Sequence, residues 1–316
     1  MAESVARLAR QVRDEMSRVI VGQADVIDQI LVAILCSGHA LLEGVPGLAK
    51  TLMVKTLARV LQVDFQRVQC TPDLMPADVT GTSVFNASQG VFTLHRGPIF
   101  TDLLLVDEIN RTPPRTQSAL LEAMEERQTT IDGTRHPLPP FFTVFATQNP
   151  IEFEGTYPLP EAQLDRFLMK IRIAYPDAAE ETAILMRHQQ GFDARRLETV
   201  GLTVVDPALL ESARAEAARV RVDEALATYV AAVARRTRDW PSLSLGASPR
   251  AAVALLSAAR VLAAMEGRDY LIPDDVKSTA APILRHRLIL KPEADLEGVT
   301  ADEIITEVIA SIDVPR

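Results

Sequence analysis

Gly44-Val45-Pro46-Gly47-Leu48-Ala49-Lys50-Thr51 is the stretch on which the reading of this chain turns. It follows the apolar pair Leu41-Leu42 and leads into a run, 51–61, with helical spacing, so it joins a strand to a helix. The pattern nearly matches the phosphate loop Gly-x-x-x-x-Gly-Lys-Ser/Thr, with Ala49 where the second glycine stands. Gly44 and Gly47 permit a tight backbone path past Val45, Pro46 and Leu48, and the loop amides and helix N-terminus attract phosphate oxygens. Lys50 can reach the terminal phosphates, Thr51 offers a hydroxyl to Mg²⁺, and Leu52 continues the helix beside them. A plain Gly-Pro turn before a helix would look similar but would need no lysine. Of the 33 basic residues only five are Lys, at 50, 55, 170, 277 and 291, and one of them stands where such a loop requires it.

Three further strand tips acquire meaning from that loop. Asp102-Leu103-Leu104-Leu105-Val106-Asp107-Glu108 is an apolar strand closing on two carboxylates. Beside a phosphate loop, Asp107 can hold the Mg²⁺ shell and Glu108 can polarise an attacking water. Val144-Phe145-Ala146-Thr147-Gln148-Asn149-Pro150 ends in an amide that could bridge that water and a phosphate, although Asn-Pro is also a turn signal. Arg166 precedes a fourth strand at 169–173 and by itself reads equally as a local partner of Asp165. Ser248-Pro249-Arg250 reads as an N-cap, a Pro at N1 and then a cation in the first turn. A cation there opposes the helix dipole, and an anion shared at that helix end, a nucleotide phosphate being the obvious candidate, would remove the conflict.

The first half alternates short apolar strands (40–42, 102–106, 143–146, 169–173) with helices, the α/β pattern of a parallel sheet. One helix, 115–127, is expected to open on Thr112 as N-cap before Pro113-Pro114. Two hairpins interrupt the alternation, 82–85 with 91–95, and 129–131 with 134–136 around Asp132-Gly133. After Pro176 the spacing turns helical at 177–190, 207–235, 249–266 and 273–289, giving an all-helical second domain over 176–316 behind a core of 1–175.

Composition narrows the function classes. A net charge of −9, shared between the two halves, lacks the basic footprint of a nucleic-acid binder. Two cysteines, Cys36 and Cys70, cannot build a disulfide framework and fit a reducing compartment. No apolar run reaches the ~18 residues of a membrane span, and the N-terminal MAESVARLARQVRDEM carries too many acids for a leader. The histidines at 39, 95, 136, 188 and 286 have no metal-ligand spacing and read as structural or surface residues.

In this order the motifs resemble a AAA+ ATPase of the MoxR family, in the helix-2-insert group related to magnesium-chelatase ATPase subunits. The resemblance runs from Val21-Gly22-Gln23 to the helical C-terminal half. It implies a P-loop α/β core followed by a helical lid, with ATP and Mg²⁺ as cofactors. Within it, 44–51 is Walker A, Asp107-Glu108 Walker B, Asn149 sensor 1, Arg166 the arginine finger and Arg250 sensor 2. It places Val21 and Gly22 near the adenine, and it accounts for both hairpins: a helix-2 insert at about 73–99 and a pre-sensor-1 hairpin at about 128–138. The family's own loop resembles Gly-x-Pro-Gly-x-x-Lys-Thr, so Ala49 fits it.

The resemblance also implies a homo-oligomeric, usually hexameric, ring in the bacterial cytoplasm, with the arginine finger acting on the neighbour's ATP. Its implied role is chaperone-like remodelling of client proteins, with a von Willebrand factor A domain partner. The same engine could serve a metal chelatase or a nucleic-acid translocase, and a small-molecule phosphotransferase is a fourth reading. Net charge weighs against the translocase, and the placement of Arg166 against the phosphotransferase.

Overall fold

The protein is described by a computed structural model covering residues 2–150 and 155–315. Five strands form one parallel sheet: β1 (Ala40–Glu43), β2 (Phe65–Gln69), β5 (Leu103–Asp107), β8 (Thr143–Gln148) and β9 (Met169–Arg172), in the order β2-β5-β8-β1-β9. β1, β5 and β8 are almost wholly buried, as the continuous apolar runs of a sheet covered on both faces require. Because all five run the same way, the phosphate loop after β1, the carboxylates ending β5 and the amide after β8 leave from one edge. The two expected hairpins stand apart as β3 (Gly81–Asn86) with β4 (Val91–Arg96), and β6 (Gln128–Ile131) with β7 (Thr134–Pro137).

Helices cover the sheet. α1 (Glu3–Ser17), α2 (Ala24–Leu35) and α3 (Lys50–Leu61) lie in one apolar cluster, and α5 (Pro114–Glu126) closes the other face, behind the short α4 (Pro76–Thr80). After the one-turn α6 (Glu161–Leu164) come α7 (Ala178–Gln189), α8 (Pro207–Ala217), α9 (Glu224–Arg238), α10 (Pro249–Met265), α11 (Pro273–Leu284), α12 (Pro292–Leu296) and α13 (Ala301–Ala310). Among these run a small antiparallel pair, β10 (Leu243–Leu245) and β11 (Ile289–Leu290).

Several details depart from the sequence expectation. β2 was not foreseen, because Phe65-Gln66-Arg67-Val68-Gln69 is an edge strand burying only Val68. Pro113, not Thr112, takes the N-cap of α5, and no side chain caps it. The expected helix 207–235 is two helices. Arg221 exchanges backbone hydrogen bonds with Asp269 and Leu271, and the Asp223 carboxylate then accepts from the Ala225 amide to start α9. The expected 273–289 helix stops at Leu284, where the chain turns into β11.

α1 ties the two halves together. Val5, Leu8, Ala9, Val12 and Met16 are fully buried, and the helix packs on α3, α8 and α10 at once. Ala2 offers no cap, so the first amides are satisfied from afar: the Glu216 carboxylate of α8 accepts from Glu3 (3.1 Å), Ser4 (2.7 Å) and Val5 (3.0 Å). The apolar cluster is therefore continuous across residue 175.

His39, just before β1, has a structural role. Its Nδ1 accepts from the Val144 amide (2.9 Å), so its Nε2 carries the proton toward the Met124 carbonyl (3.1 Å). Protonating Nδ1 would set one N–H against another, and burial pulls this imidazole down to about 4. An unfolded histidine takes up its proton near pH ~6.5. The unfolded chain thus binds the proton first, and stability present at neutral pH drains away between those two values. His39→Gln should flatten the slope of unfolding free energy on pH in that window, measured in urea. An unchanged slope would clear His39.

Candidate active site

β1 delivers the loop and α3 receives it. Gly44 has no alternative: a Cβ there would sit 2.9 Å from the Ile173 carbonyl oxygen. Gly47 turns the chain at φ +88°, and Ala49 enters α3 at φ +55°, a left-handed conformation disfavoured for a residue with a Cβ. Strain retained at this one position aims the next amides and Lys50 into a cavity of about 430 Å³. Residues 46–52 line it with Asp107, Glu108, Thr147, Asn149 and Ala194. The sheet edge thus brings together the loop and both carboxylates, with Asn149 buried beside them.

The Lys50 ammonium folds back on its own loop, donating to the carbonyls of Gly44 (2.6 Å) and Val45 (2.9 Å). Gly44 and Val45 thus stand behind the cavity wall. Burial lowers the Lys50 pKa, opposed by the charges of Asp107 and Glu108. This cation is already partly desolvated and held by two neutral carbonyls, which phosphate oxygens would outbid.

Asp107 and Glu108 are oriented by neighbours, most of which the sequence alone did not single out. The Thr147 hydroxyl donates to Asp107 Oδ1 (2.6 Å) and accepts the Glu108 amide (2.8 Å). Arg67 donates to Asp107 Oδ2 from Nη2 (2.6 Å), and Gln69 Nε2 donates to Glu108 Oε2 (3.0 Å). Arg111 pairs with the same Glu108 oxygen at 3.4 Å. Glu108 stands at φ +60°, so the chain turns sharply there and presents its carboxylate to the cavity. Gln69 lies opposite Asp107 in the β2–β5 register, and the unrecognised edge strand is why it was missed. Thr147 had a signal, lying one step beyond the Val106–Ala146 pair of β5 and β8.

The donor set suits Mg²⁺. No cluster of three or more His, Cys, Asp or Glu side chains occurs among the described residues. One carboxylate, Asp107, and one hydroxyl, Thr51, line the cavity at the phosphate loop, and such a sparse oxygen set would suit an ion that keeps waters and phosphates as its other ligands.

Arg166 and Arg250 lie elsewhere. They line a second cavity, of about 230 Å³, which shares no residue with the first. Ser248 caps α10 through the Ala251 amide, with Pro249 at N1, as expected. The anion that Arg250 meets within the chain is a carboxylate: its Nη2 donates to Glu125 Oε2 (3.0 Å). Arg166 Nε lies 3.8 Å from the same oxygen. Asp165 is not the partner of Arg166. It accepts from buried Arg287 (2.6 Å), which also donates to the Phe167 and Leu168 carbonyls and so fixes the segment bearing Arg166. Val21 and Gly22 lie outside both linings; Gly22 is pressed against the Glu180 side chain at the start of α7.

A parallel sheet in this order, with a phosphate loop after β1 and an acid pair after β5, defines a nucleotide-dependent ATPase core. Residues 39–169 match the ATPase family associated with various cellular activities (AAA), and 235–308 match the AAA lid domain. The chain is 47% identical to the uncharacterized protein YeaC of Bacillus subtilis, over 96% of this chain and 93% of that one. It is 44% identical to chaperone MoxR1 of Mycobacterium tuberculosis, over 96% of this chain and 81% of that one. A crystal structure of a candidate ATPase from Cytophaga hutchinsonii superposes with a TM-score of 0.90 at 40% identity, covering 99% of this chain and 98% of its own. The chain belongs to the MoxR family of AAA ATPases.

Proposed function

We propose that this MoxR-type ATPase hydrolyses ATP only as part of a ring, hexameric as is common for AAA+ proteins, and uses the cycle to remodel client proteins. The observation that supports it most is the separation of the two cavities. Lys50, Thr51, Asp107, Glu108 and Asn149 can bind ATP and orient a water, while Arg166 and Arg250 share no wall with them. Two cations meant for a phosphate but absent from the subunit's own phosphate site are matched by the site of a neighbour. In this reading 44–52 bind the phosphates, and Val21 and Gly22 serve the base side. Asp107 and Thr51 hold Mg²⁺, which when bound would neutralise phosphate charge. Glu108 takes the proton of the attacking water, Asn149 steadies that water, and 176–316 is the lid bearing Arg250.

Client handling fits the β3–β4 hairpin, which the ATPase engine does not itself need. Phe85 and Phe92 face each other across it, centroids 5.2 Å apart, and both are exposed together with Val84 and Val91. An apolar projection of this kind suits unfolded or partly folded protein. The chaperone designation of MoxR1 agrees, and the resemblance supplies a von Willebrand factor A domain partner and a cytoplasmic setting. No helix among the described residues is long and apolar enough to cross a membrane. The test is dilution. Specific ATPase activity should rise steeply with protein concentration as rings assemble and stay unchanged on adding DNA. Flat activity across a hundredfold dilution would contradict action across subunits, and strong stimulation by DNA would favour a translocase.

A further inference from the structure

Four guanidinium groups line the second cavity, Arg127, Arg166, Arg250 and Arg287, against two carboxylates, Glu125 and Asp165. Two of the four are already committed. Arg287 is buried and spends its donors on Asp165 and on the carbonyls of Phe167, Leu168 and Ile283. Arg127 donates to the Phe142 carbonyl (3.0 Å) and to the Ser37 carbonyl. Arg166 and Arg250 remain, and both converge on one atom, Glu125 Oε2, at 3.8 and 3.0 Å. They arrive from different parts of the chain, Arg166 just before β9 and Arg250 from the first turn of α10, while Glu125 comes from the end of α5.

Such a contact does little for the fold. Arg166, Arg250 and Glu125 are 33%, 52% and 37% exposed at the side chain, and ion pairs so exposed contribute little stability. What the carboxylate does is hold two like charges near one point, where they would otherwise repel. A phosphate oxygen presents the same charge and acceptor geometry to the same donors. We propose that Glu125 is a stand-in for the neighbouring subunit's terminal phosphate: it keeps Arg166 and Arg250 together at rest and is displaced when the subunits close on nucleotide. This rests on the reading that both arginines act across the subunit interface. Glu125 is then a positioning residue, and its negative charge opposes the incoming phosphate, setting the threshold for assembly.

The test is Glu125→Gln, which preserves size and removes the charge. With a non-hydrolysable ATP analogue, the protein concentration giving half-assembled rings in sedimentation should fall about fivefold, the scale of one exposed charge contact. The gain should vanish when Arg166→Ala and Arg250→Ala are added to Glu125→Gln. A midpoint that stays put or rises with Glu125→Gln overturns the stand-in role, as does a gain that survives without the two arginines. The underlying reading fails separately, if Arg166→Ala alone retains wild-type turnover.

Discussion

Arg166→Ala is expected to lower ATP turnover by about 10³–10⁵-fold, the contribution of an arginine finger, while ATP still binds. That range corresponds to about 4–7 kcal/mol of barrier. Binding should survive because Arg166 lies outside the lining of the phosphate-loop cavity. Complementation gives the sharper measurement. Arg166→Ala subunits keep an intact phosphate loop, and Lys50→Ala subunits keep an intact Arg166. Each should be inactive alone, and mixing them should restore activity at the mixed interfaces. Loss of ATP binding in Arg166→Ala, or no recovery on mixing, would show that the residue acts within its own subunit or only supports the fold.

Glu108→Gln should lower turnover by about 10²–10⁴-fold. The amide keeps the size of the carboxylate and can still meet Gln69 and Arg111, but it cannot take a proton from water. ATP should therefore bind and persist, and rings loaded with uncleaved ATP should accumulate, visible by sedimentation and by the nucleotide retained after gel filtration. Wild-type turnover in this variant would remove Glu108 from the chemistry. Because Thr147 holds the backbone at Glu108 and the side chain at Asp107, the substitution should leave the Asp107 carboxylate in place.

Most of the catalytic edge was legible because its signals are local. A phosphate loop is eight consecutive residues, and each strand tip carries its polar residue at the end of an apolar run, so Lys50, Asp107, Glu108 and Asn149 could be placed without knowing the sheet order. The hairpins were equally local, and both appear within a residue of their expected limits. What stayed hidden depends on distant segments meeting. Gln69 and Arg67 reach Asp107 and Glu108 only through the β2–β5 pairing. Glu125 lies on a helix whose sequence gives no hint that two arginines will converge on it. The dipole argument at Ser248-Pro249-Arg250 looked to an anion, with a nucleotide phosphate as its candidate; within the chain Arg250 meets the Glu125 carboxylate instead. Likewise, sequence adjacency suggested Asp165 as the mate of Arg166, whereas buried Arg287 claims it from the turn after α11.

The placement of α1 has a mechanical consequence. Its five fully buried side chains are wedged against α3, α8 and α10 together. Stripping the larger ones from that setting would cost about 1.5–3 kcal/mol apiece. Any displacement of α8 or α10 relative to α3 would have to break this packing, so α1 couples them. In the ring proposed above, α1 would be the part that carries a shift of α10, which bears Arg250, through to α3, which follows the phosphate loop.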